Sequence, residues 1–301
     1  MYLDLIKEAE KLAEDGKIEE AIEKYKQAFE LDLFNDDYFN YGLLLFENKQ
    51  FEESLQVFLY LSDENPDYYK YYILGVISSN LKQYADAIKY YQKAIEMNNS
   101  FYEGLNNLAA IYDRFDDQEL AINLYNKILS YYPDDYITYL NLGSIYEEKN
   151  QDTIALEYFE KAYAIDCKAR LVNYKLGNLF SKNNDFDLGK KYYQAEIELE
   201  DGYIYAYSNL GIIYQEEDGD LDKALQIYHQ GLEIDSSVAD LWYNIACNFA
   251  LRKDYQNCYE NLKEAINRDY DLLSYSQKDE DLSDFRKTEY FKKIIEETKT
   301  S

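Results

Sequence analysis

The sequence predicts an all-α fold, a right-handed superhelical solenoid of about eight helical hairpins that ends in a C-terminal capping segment. Two observations predict this fold: the chain of 301 residues resembles itself every 33 to 35 residues, and each copy has apolar residues at helical spacing. The small anchor residues of the first helices are Ala9, Gly42, Gly75, Ala109, Gly143, Gly177, Gly211 and Ala246. The matching positions of the second helices are Ala21, Ser54, Ala87, Ala121, Ala155, Gly189, Ala224 and Cys258.

The copy around Gly143 shows why each repeat should form two helices. Tyr139, Leu142, Gly143 and Tyr146 fall at positions i, i+3, i+4 and i+7, the spacing of one face of an α-helix. After a short turn, a similar spacing returns in a second stretch that begins at Ala155. Glycine within a helix costs about 1 kcal/mol relative to alanine, so its return as the anchor of five copies requires a packing reason. We expect the backbones of the two antiparallel helices to approach closely there.

Three stretches carry a family resemblance. They read YLNLGSIYEEKNQDTIALEYFEKAYAID, YSNLGIIYQEEDGDLDKALQIYHQGLEID and LWYNIACNFALRKDYQNCYENLKEAINRD, and they resemble tetratricopeptide repeats. The resemblance implies one array over residues 2–272, followed by a capping segment over residues 273–301. The predicted repeats are 2–34, 35–67, 68–101, 102–135, 136–169, 170–203, 204–238 and 239–272.

Three parts of the chain depart from the regular repeat. The sixth copy has Gly189 and Glu196 where other copies have alanine, and we expect looser packing there. The seventh copy has one extra residue in its turn, near residues 218–220. In the capping segment, apolar side chains are expected to cover the last repeat; they are Leu282, Phe285, Phe291, Ile294 and Ile295.

The charge of the chain narrows the choice of partners. The formal net charge is -28, so the surface should repel nucleic-acid phosphates and anionic lipid headgroups. We therefore expect neither nucleic-acid binding nor membrane insertion. The N-terminal stretch is acidic and amphipathic rather than basic and then apolar. The sequence thus predicts a cytoplasmic protein.

Signals for an enzyme or a cofactor are weak. We find no glycine-rich phosphate loop, no nucleophile elbow and no zinc-protease motif in the sequence. The cysteines Cys167, Cys247 and Cys258 are too scattered for a zinc site, and the single histidine, His229, has no apparent catalytic partner. We therefore predict no catalytic residues, no metal and no cofactor.

An asparagine recurs two positions before the anchor residue in five copies; these residues are Asn40, Asn107, Asn141, Asn209 and Asn244. The family resemblance implies that the first helices line a concave groove in which ligands lie. In superhelical members of the family, such asparagines hold an extended peptide through its backbone. The chemistry fits, because an amide side chain both donates and accepts hydrogen bonds. The alternative is a solvated residue, since asparagine is common at this place in the family consensus.

The aromatic residues Phe39, Tyr72, Tyr174 and Tyr243 are predicted to supply apolar contacts in the same groove. Further positions at its edge are acidic: Asp36, Glu103, Asp113, Glu147, Glu216 and Asp240. We therefore predict a non-enzymatic scaffold whose groove binds a segment of another protein, neutral or basic and with apolar anchors. The alternative is a regulatory or assembly subunit of a larger complex that docks through its convex face or its cap.

Overall fold

The computed structural model describes residues 1–31, 35–64 and 66–300, apart from the side chains of residues 35, 36, 63, 299 and 300. The side chain of Asp36, predicted at the groove edge, thus lies outside the described part. The described residues form eighteen α-helices and two short 3₁₀ helices, so all their regular structure is helical. The chain divides into two compact units, unit 1 over residues 1–134 and unit 2 over residues 135–301.

Unit 1 contains four pairs of consecutive helices that pack side by side, α1 with α2, α3 with α4, α5 with α6, and α7 with α8. Their bounds are α1 Tyr2–Glu14, α2 Ile18–Phe29, α3 Asn35–Glu47, α4 Phe51–Glu64, α5 Tyr68–Asn80, α6 Tyr84–Met97, α7 Tyr102–Arg114 and α8 Gln118–Tyr131.

Unit 2 continues with four more pairs, α9 with α10, α11 with α12, α13 with α14, and α15 with α16. Their bounds are α9 Tyr136–Glu148, α10 Asp152–Ile165, α11 Val172–Lys182, α12 Phe186–Ile197, α13 Tyr205–Glu216, α14 Leu221–Ile234, α15 Ala239–Leu251 and α16 Tyr255–Arg268. The C-terminal segment, residues 271–300, then forms α17 Asp271–Ser276, 3₁₀ helices Glu280–Leu282 and Phe285–Lys287, and α18 Glu289–Thr300.

The turn inside each pair has one residue in the left-handed region of backbone conformation. In seven pairs this residue follows the anchor by seven positions; the seven are Gly16, Lys49, Lys82, Asp116, Asn150, Asn184 and Lys253. In the pair α13–α14, Gly219 takes this role with a φ of 67°, eight positions after Gly211. The predicted extra residue of the seventh turn is thereby confirmed.

The anchor glycines face aromatic rings rather than backbone. A Cβ atom on Gly143 would lie 2.4 Å from Cε1 of Phe159, and one on Gly211 would lie 2.2 Å from Cε1 of Tyr228. Both rings belong to the second helix of the same pair and are fully buried. The expectation of a close approach between two backbones was therefore wrong. Glycine is needed because the ring fills the space that a side chain would take.

The sixth pair, α11–α12, is stabilised by Glu196, the acidic residue that replaces an alanine of the other copies. Glu196 is fully buried, and its carboxylate accepts hydrogen bonds from three backbone amides. Those donors are the N–H groups of Leu171 at 3.0 Å, Tyr174 at 3.2 Å and Tyr203 at 3.0 Å. Leu171 has a φ of 73°, which is unusual for a bulky residue. The expectation of looser packing was wrong, because the carboxylate holds the start of α11 and the loop before α13.

The C-terminal segment packs on the last pair of helices. Leu282 and Phe285 are fully buried, and Phe291 and Ile294 are buried in the same cluster as Leu262 of α16. The polar side of the segment is fixed by Arg286, whose Nη1 donates to the backbone oxygens of Ser276 and Asp279. These contacts give the loop that carries Asp279 a defined position. Within the described residues, no helix is both long and apolar enough to cross a membrane.

Replacing Gly143 by leucine should lower the free energy of unfolding by about 1–3 kcal/mol or more, because the new side chain collides with the buried ring of Phe159. Urea unfolding followed by circular dichroism measures the effect. The matched control is Glu148→Leu, which adds the same side chain at an exposed position of α9. Equal stability of the two variants would contradict the glycine–ring contact.

Glu196→Gln should cost about 1–3 kcal/mol of stability, because glutamine has one acceptor oxygen and cannot serve all three amides. Hydrogen exchange of the amides of Leu171, Tyr174 and Tyr203 should quicken in the variant. Glu200→Gln, an exposed change with the same loss of charge, serves as the control. Unchanged exchange at all three amides would show that the carboxylate does not hold them.

Candidate functional site

The nine residues predicted to bind a peptide lie on the first helices of the pairs, in both units. In unit 1 they are Phe39, Asn40, Tyr72 and Asn107, and in unit 2 they are Asn141, Tyr174, Asn209, Tyr243 and Asn244. We call the surface that carries these residues in each unit its first-helix face. Each asparagine lies two residues before the anchor of its helix, and the anchor faces the second helix of the pair. Two residues are about half a helical turn, so the asparagine side chains point away from that contact. Asn40 is exposed, and the other four are half-buried.

Two cavities open on the first-helix face of unit 1. The first has a volume of about 410 Å³, and its lining includes Asn40 together with the carboxylates of Glu10, Glu14 and Glu47. The second has a volume of about 340 Å³ and is lined in part by Asn107 and Tyr91. Both therefore contain an asparagine that the sequence singled out.

Asn107 also forms a hydrogen bond inside unit 1. Its Nδ2 lies 3.4 Å from the hydroxyl of Tyr91, to which it donates a hydrogen bond. The Tyr91 ring lies beside that of Tyr72, with 6.0 Å between their centroids. Burial raises the pKa of both tyrosines, and the hydrogen bonds with Asn107 oppose the rise. This asparagine thus links two helical pairs of unit 1.

The same arrangement recurs in unit 2 around Asn209. Its Nδ2 donates to Oδ1 of Asn178 at 3.0 Å and to the hydroxyls of Tyr193 at 3.3 Å and Tyr174 at 3.5 Å. The Tyr193 hydroxyl in turn donates to Oδ1 of Asn178 at 2.7 Å. Burial raises the pKa of Tyr193 to about 12. The amide hydrogens of Asn209 are thus engaged within the protein, and its oxygen is the group left to accept from a ligand.

Tyr243 differs from the other predicted aromatic residues. It is only 4% exposed, and it stays a predicted groove residue, because it also lines a cavity between α13, α15 and the C-terminal segment. Its hydroxyl donates to Oδ2 of Asp279 at 2.7 Å, and its ring lies 5.4 Å from that of Tyr275. Both partners belong to the C-terminal segment, which covers this part of α15.

Sequence reasoning missed Asp279, although the repeat period could have found it. Asp279 lies 35 residues after Asn244, the same separation that Asn244 has from Asn209. The C-terminal segment therefore places a carboxylate one period beyond the last asparagine. A tyrosine hydroxyl binds that carboxylate, as tyrosines bind the amides of Asn107 and Asn209.

The cavity beside Asp279 has a volume of about 460 Å³ and lies between α13, α15 and the C-terminal segment. Asn209 and Asn244 line it, together with four carboxylates, those of Glu216, Asp240, Asp279 and Asp281. Partial burial raises the pKa of Glu216, Asp240 and Asp281, and neighbouring acidic groups raise it further. We call this site the acidic cavity.

Three groups of the acidic cavity are close enough to share a metal ion. The Cys247 sulfur and one oxygen each of Asp279 and Asp281 lie within 4.8 Å of one another. Burial raises the pKa of the Cys247 thiol well above its usual value, and the neighbouring aspartates add to this. A metal ion bound there would have to displace the thiol proton, since a metal binds the thiolate rather than the thiol.

Comparison with known proteins identifies the repeats. Tetratricopeptide repeat family models match residues 6–69, 71–101, 102–135, 136–166 and 206–241. The chain is a tetratricopeptide repeat protein. Its paired helices give it the architecture of a protein-interaction scaffold. No curated protein matches this tetratricopeptide repeat chain in sequence.

Solved structures share this fold at low sequence identity. A chain of the APC/C hetero-tetramer Cut9-Hcn1 is 18% identical to this protein, with a TM-score of 0.59. The match covers 90% of this chain and 52% of that chain, so this chain spans about half the length of its neighbour. The C-terminal part of a TPR repeat-containing protein from Cytophaga hutchinsonii is 19% identical with a TM-score of 0.59, over 82% of this chain and 98% of that one. Pseudomonas aeruginosa pilF is 19% identical with a TM-score of 0.56, over 69% and 94% of the two chains.

Asn209→Ala should lower the free energy of unfolding by about 0.5–1.5 kcal/mol, because it removes hydrogen bonds to Tyr193 and Asn178. Asn244→Ala is the matched control, since it changes the same position of the next repeat, where the buried Tyr228 hydroxyl has no partner among the described residues. The control should change stability by less than about 0.5 kcal/mol. Chemical denaturation measures both, and equal losses would contradict the structural role of Asn209.

Proposed function

We propose that this protein is a non-enzymatic scaffold that binds a segment of another protein on its first-helix faces. One observation carries the proposal: three cavities on these faces are lined by asparagines at the predicted position. Asn40 and Asn107 line the two cavities of unit 1, and Asn209 and Asn244 line the acidic cavity of unit 2. Polar groups that converge on partly apolar cavities are typical of binding sites.

The asparagines suit the backbone of a bound segment. A peptide group presents one N–H donor and one C=O acceptor, and an amide side chain can pair with either. The recurrence of the amide at the repeat period offers such contacts independently of the side chains of the ligand. Nearby aromatic rings, such as the half-buried rings of Phe39 and Tyr72, supply apolar surface for anchor side chains.

Charge favours a neutral or basic segment as the partner. The chain has a formal net charge of -28, and carboxylates line the cavities around Asn40 and Asn244. An acidic ligand would be repelled by both the overall charge and the local charge, whereas a basic one would be attracted and its association accelerated.

Peptides selected from a random phage-displayed library against the full chain test this function. Affinities are measured by fluorescence polarisation for Asn40→Ala, Asn141→Ala and Asn244→Ala. Each selected peptide should bind about two- to tenfold more weakly to at least one variant, because a lost hydrogen bond costs about 0.5–1.5 kcal/mol. Asn126→Ala, an exposed asparagine of the second helix α8, is the matched control and should change nothing.

Affinities that change only when residues outside the first-helix faces are replaced would favour the second hypothesis, an assembly subunit that docks through its convex face or its cap. In that case the three first-helix variants would bind normally. Substitution of exposed apolar residues at the ends of second helices, such as Met97→Ala and Ile234→Ala, would instead abolish binding. That result would refute peptide binding by the first-helix faces.

A further inference from the structure

We propose that the acidic cavity of unit 2 binds a basic side chain of the partner segment, arginine in preference to lysine. This inference rests on the proposed function, because it names the chemistry that one part of a first-helix face recognises. It goes beyond the repeat pattern, since two of the four carboxylates come from the C-terminal segment, Asp279 and Asp281.

The first argument is the unbalanced charge of the cavity. Four carboxylates line it, and the described lining residues include no lysine or arginine. The nearby Arg286 uses its Nη1 on the backbone oxygens of Ser276 and Asp279, not on a carboxylate. A positively charged ligand would therefore bring the counter-charge that the protein itself does not place in the cavity.

The second argument is that the carboxylates are held in position before a ligand arrives. Asp279 accepts from the Tyr243 hydroxyl at 2.7 Å through Oδ2 and from the backbone N–H of Asp281 at 3.0 Å through Oδ1. Asp281 accepts from Nε2 of Gln215 at 3.3 Å through Oδ2. A ligand therefore does not have to order these groups, and preorganised sites lose less entropy on binding.

The third argument is a buried polar atom that lacks a partner. Ser208 lines the cavity from α13 and is only 4% exposed, and its hydroxyl oxygen has no hydrogen-bond partner among the described residues. Such an orphaned group costs free energy. A donor brought by the ligand would satisfy it.

The rim favours arginine over lysine. Tyr275 is 60% exposed and Tyr205 is 37% exposed, and both line the cavity. A planar guanidinium stacks on such rings and offers five N–H donors for the carboxylates and the Ser208 hydroxyl that line the cavity. An ammonium group offers three donors from one point.

The test uses the full chain and two labelled hexapeptides that differ at one position. One contains a single arginine between two apolar residues, and the other has citrulline, which keeps the shape and removes the charge. We expect the arginine peptide to bind at least about tenfold more tightly by fluorescence polarisation. Asp281→Asn and Glu216→Gln should both abolish this difference, and a lysine peptide should fall between the two.

Glu233→Gln is the matched control, because it removes the same charge from an exposed position of α14. It should leave the preference for arginine intact. Circular dichroism confirms that each variant is folded. Glu216, at the exposed end of α13, gives a second variant if Asp281→Asn impairs folding.

Three results would overturn the inference. Equal binding of the arginine and citrulline peptides, with both weakened by Asn244→Ala, would refute the basic-side-chain site and leave the proposed function intact. No binding of the arginine peptide, while peptides selected by display still bind, would refute it in the same way. Tight binding of Zn²⁺ alone, lost in Asp281→Asn and competitive with the peptide, would assign the cavity to a metal ion.

Discussion

The contact between an anchor glycine and an aromatic ring sets the geometry on which the other features of the structure depend. The ring of Phe159 fills the space beside Gly143, and the ring of Tyr228 does the same beside Gly211. This contact fixes the distance and the register of two paired helices at once. It therefore also determines which residues of the first helix face outward, two positions before the glycine.

The repeat period was sufficient to predict the helices, the turns and the positions of the asparagines, because these features depend on local spacing alone. It could not predict the partners of buried polar groups. Glu196 occupies an alanine position, and the sequence does not show that three backbone amides converge on its carboxylate. The burial of Tyr243 was missed for a similar reason, since its cover comes from Asp279 and Tyr275, more than thirty residues later in the chain.

The asparagines illustrate how one position can serve both stability and recognition. Asn209 donates to Tyr174, Tyr193 and Asn178, whereas Asn244 lines the acidic cavity. The hydroxyl of Tyr228, on the helix before α15, has no hydrogen-bond partner among the described residues. Identical residues at identical repeat positions therefore differ in how many donors they can offer to a ligand. Sequence alone cannot distinguish the two cases, because Tyr193 and Tyr228 both carry a hydroxyl and the difference depends on where amide and hydroxyl lie in the folded chain.

The turn at Gly219 shows how this architecture tolerates change in length. The pair α13–α14 has one residue more between its anchor and its facing ring than the pair α9–α10, yet Gly211 and Tyr228 meet as closely as Gly143 and Phe159. The extra residue is absorbed by the loop, where a glycine adopts the left-handed conformation at little cost. Insertions and deletions at this turn are thus uncoupled from the packing of the interior, which leaves the loop free to diverge in evolution.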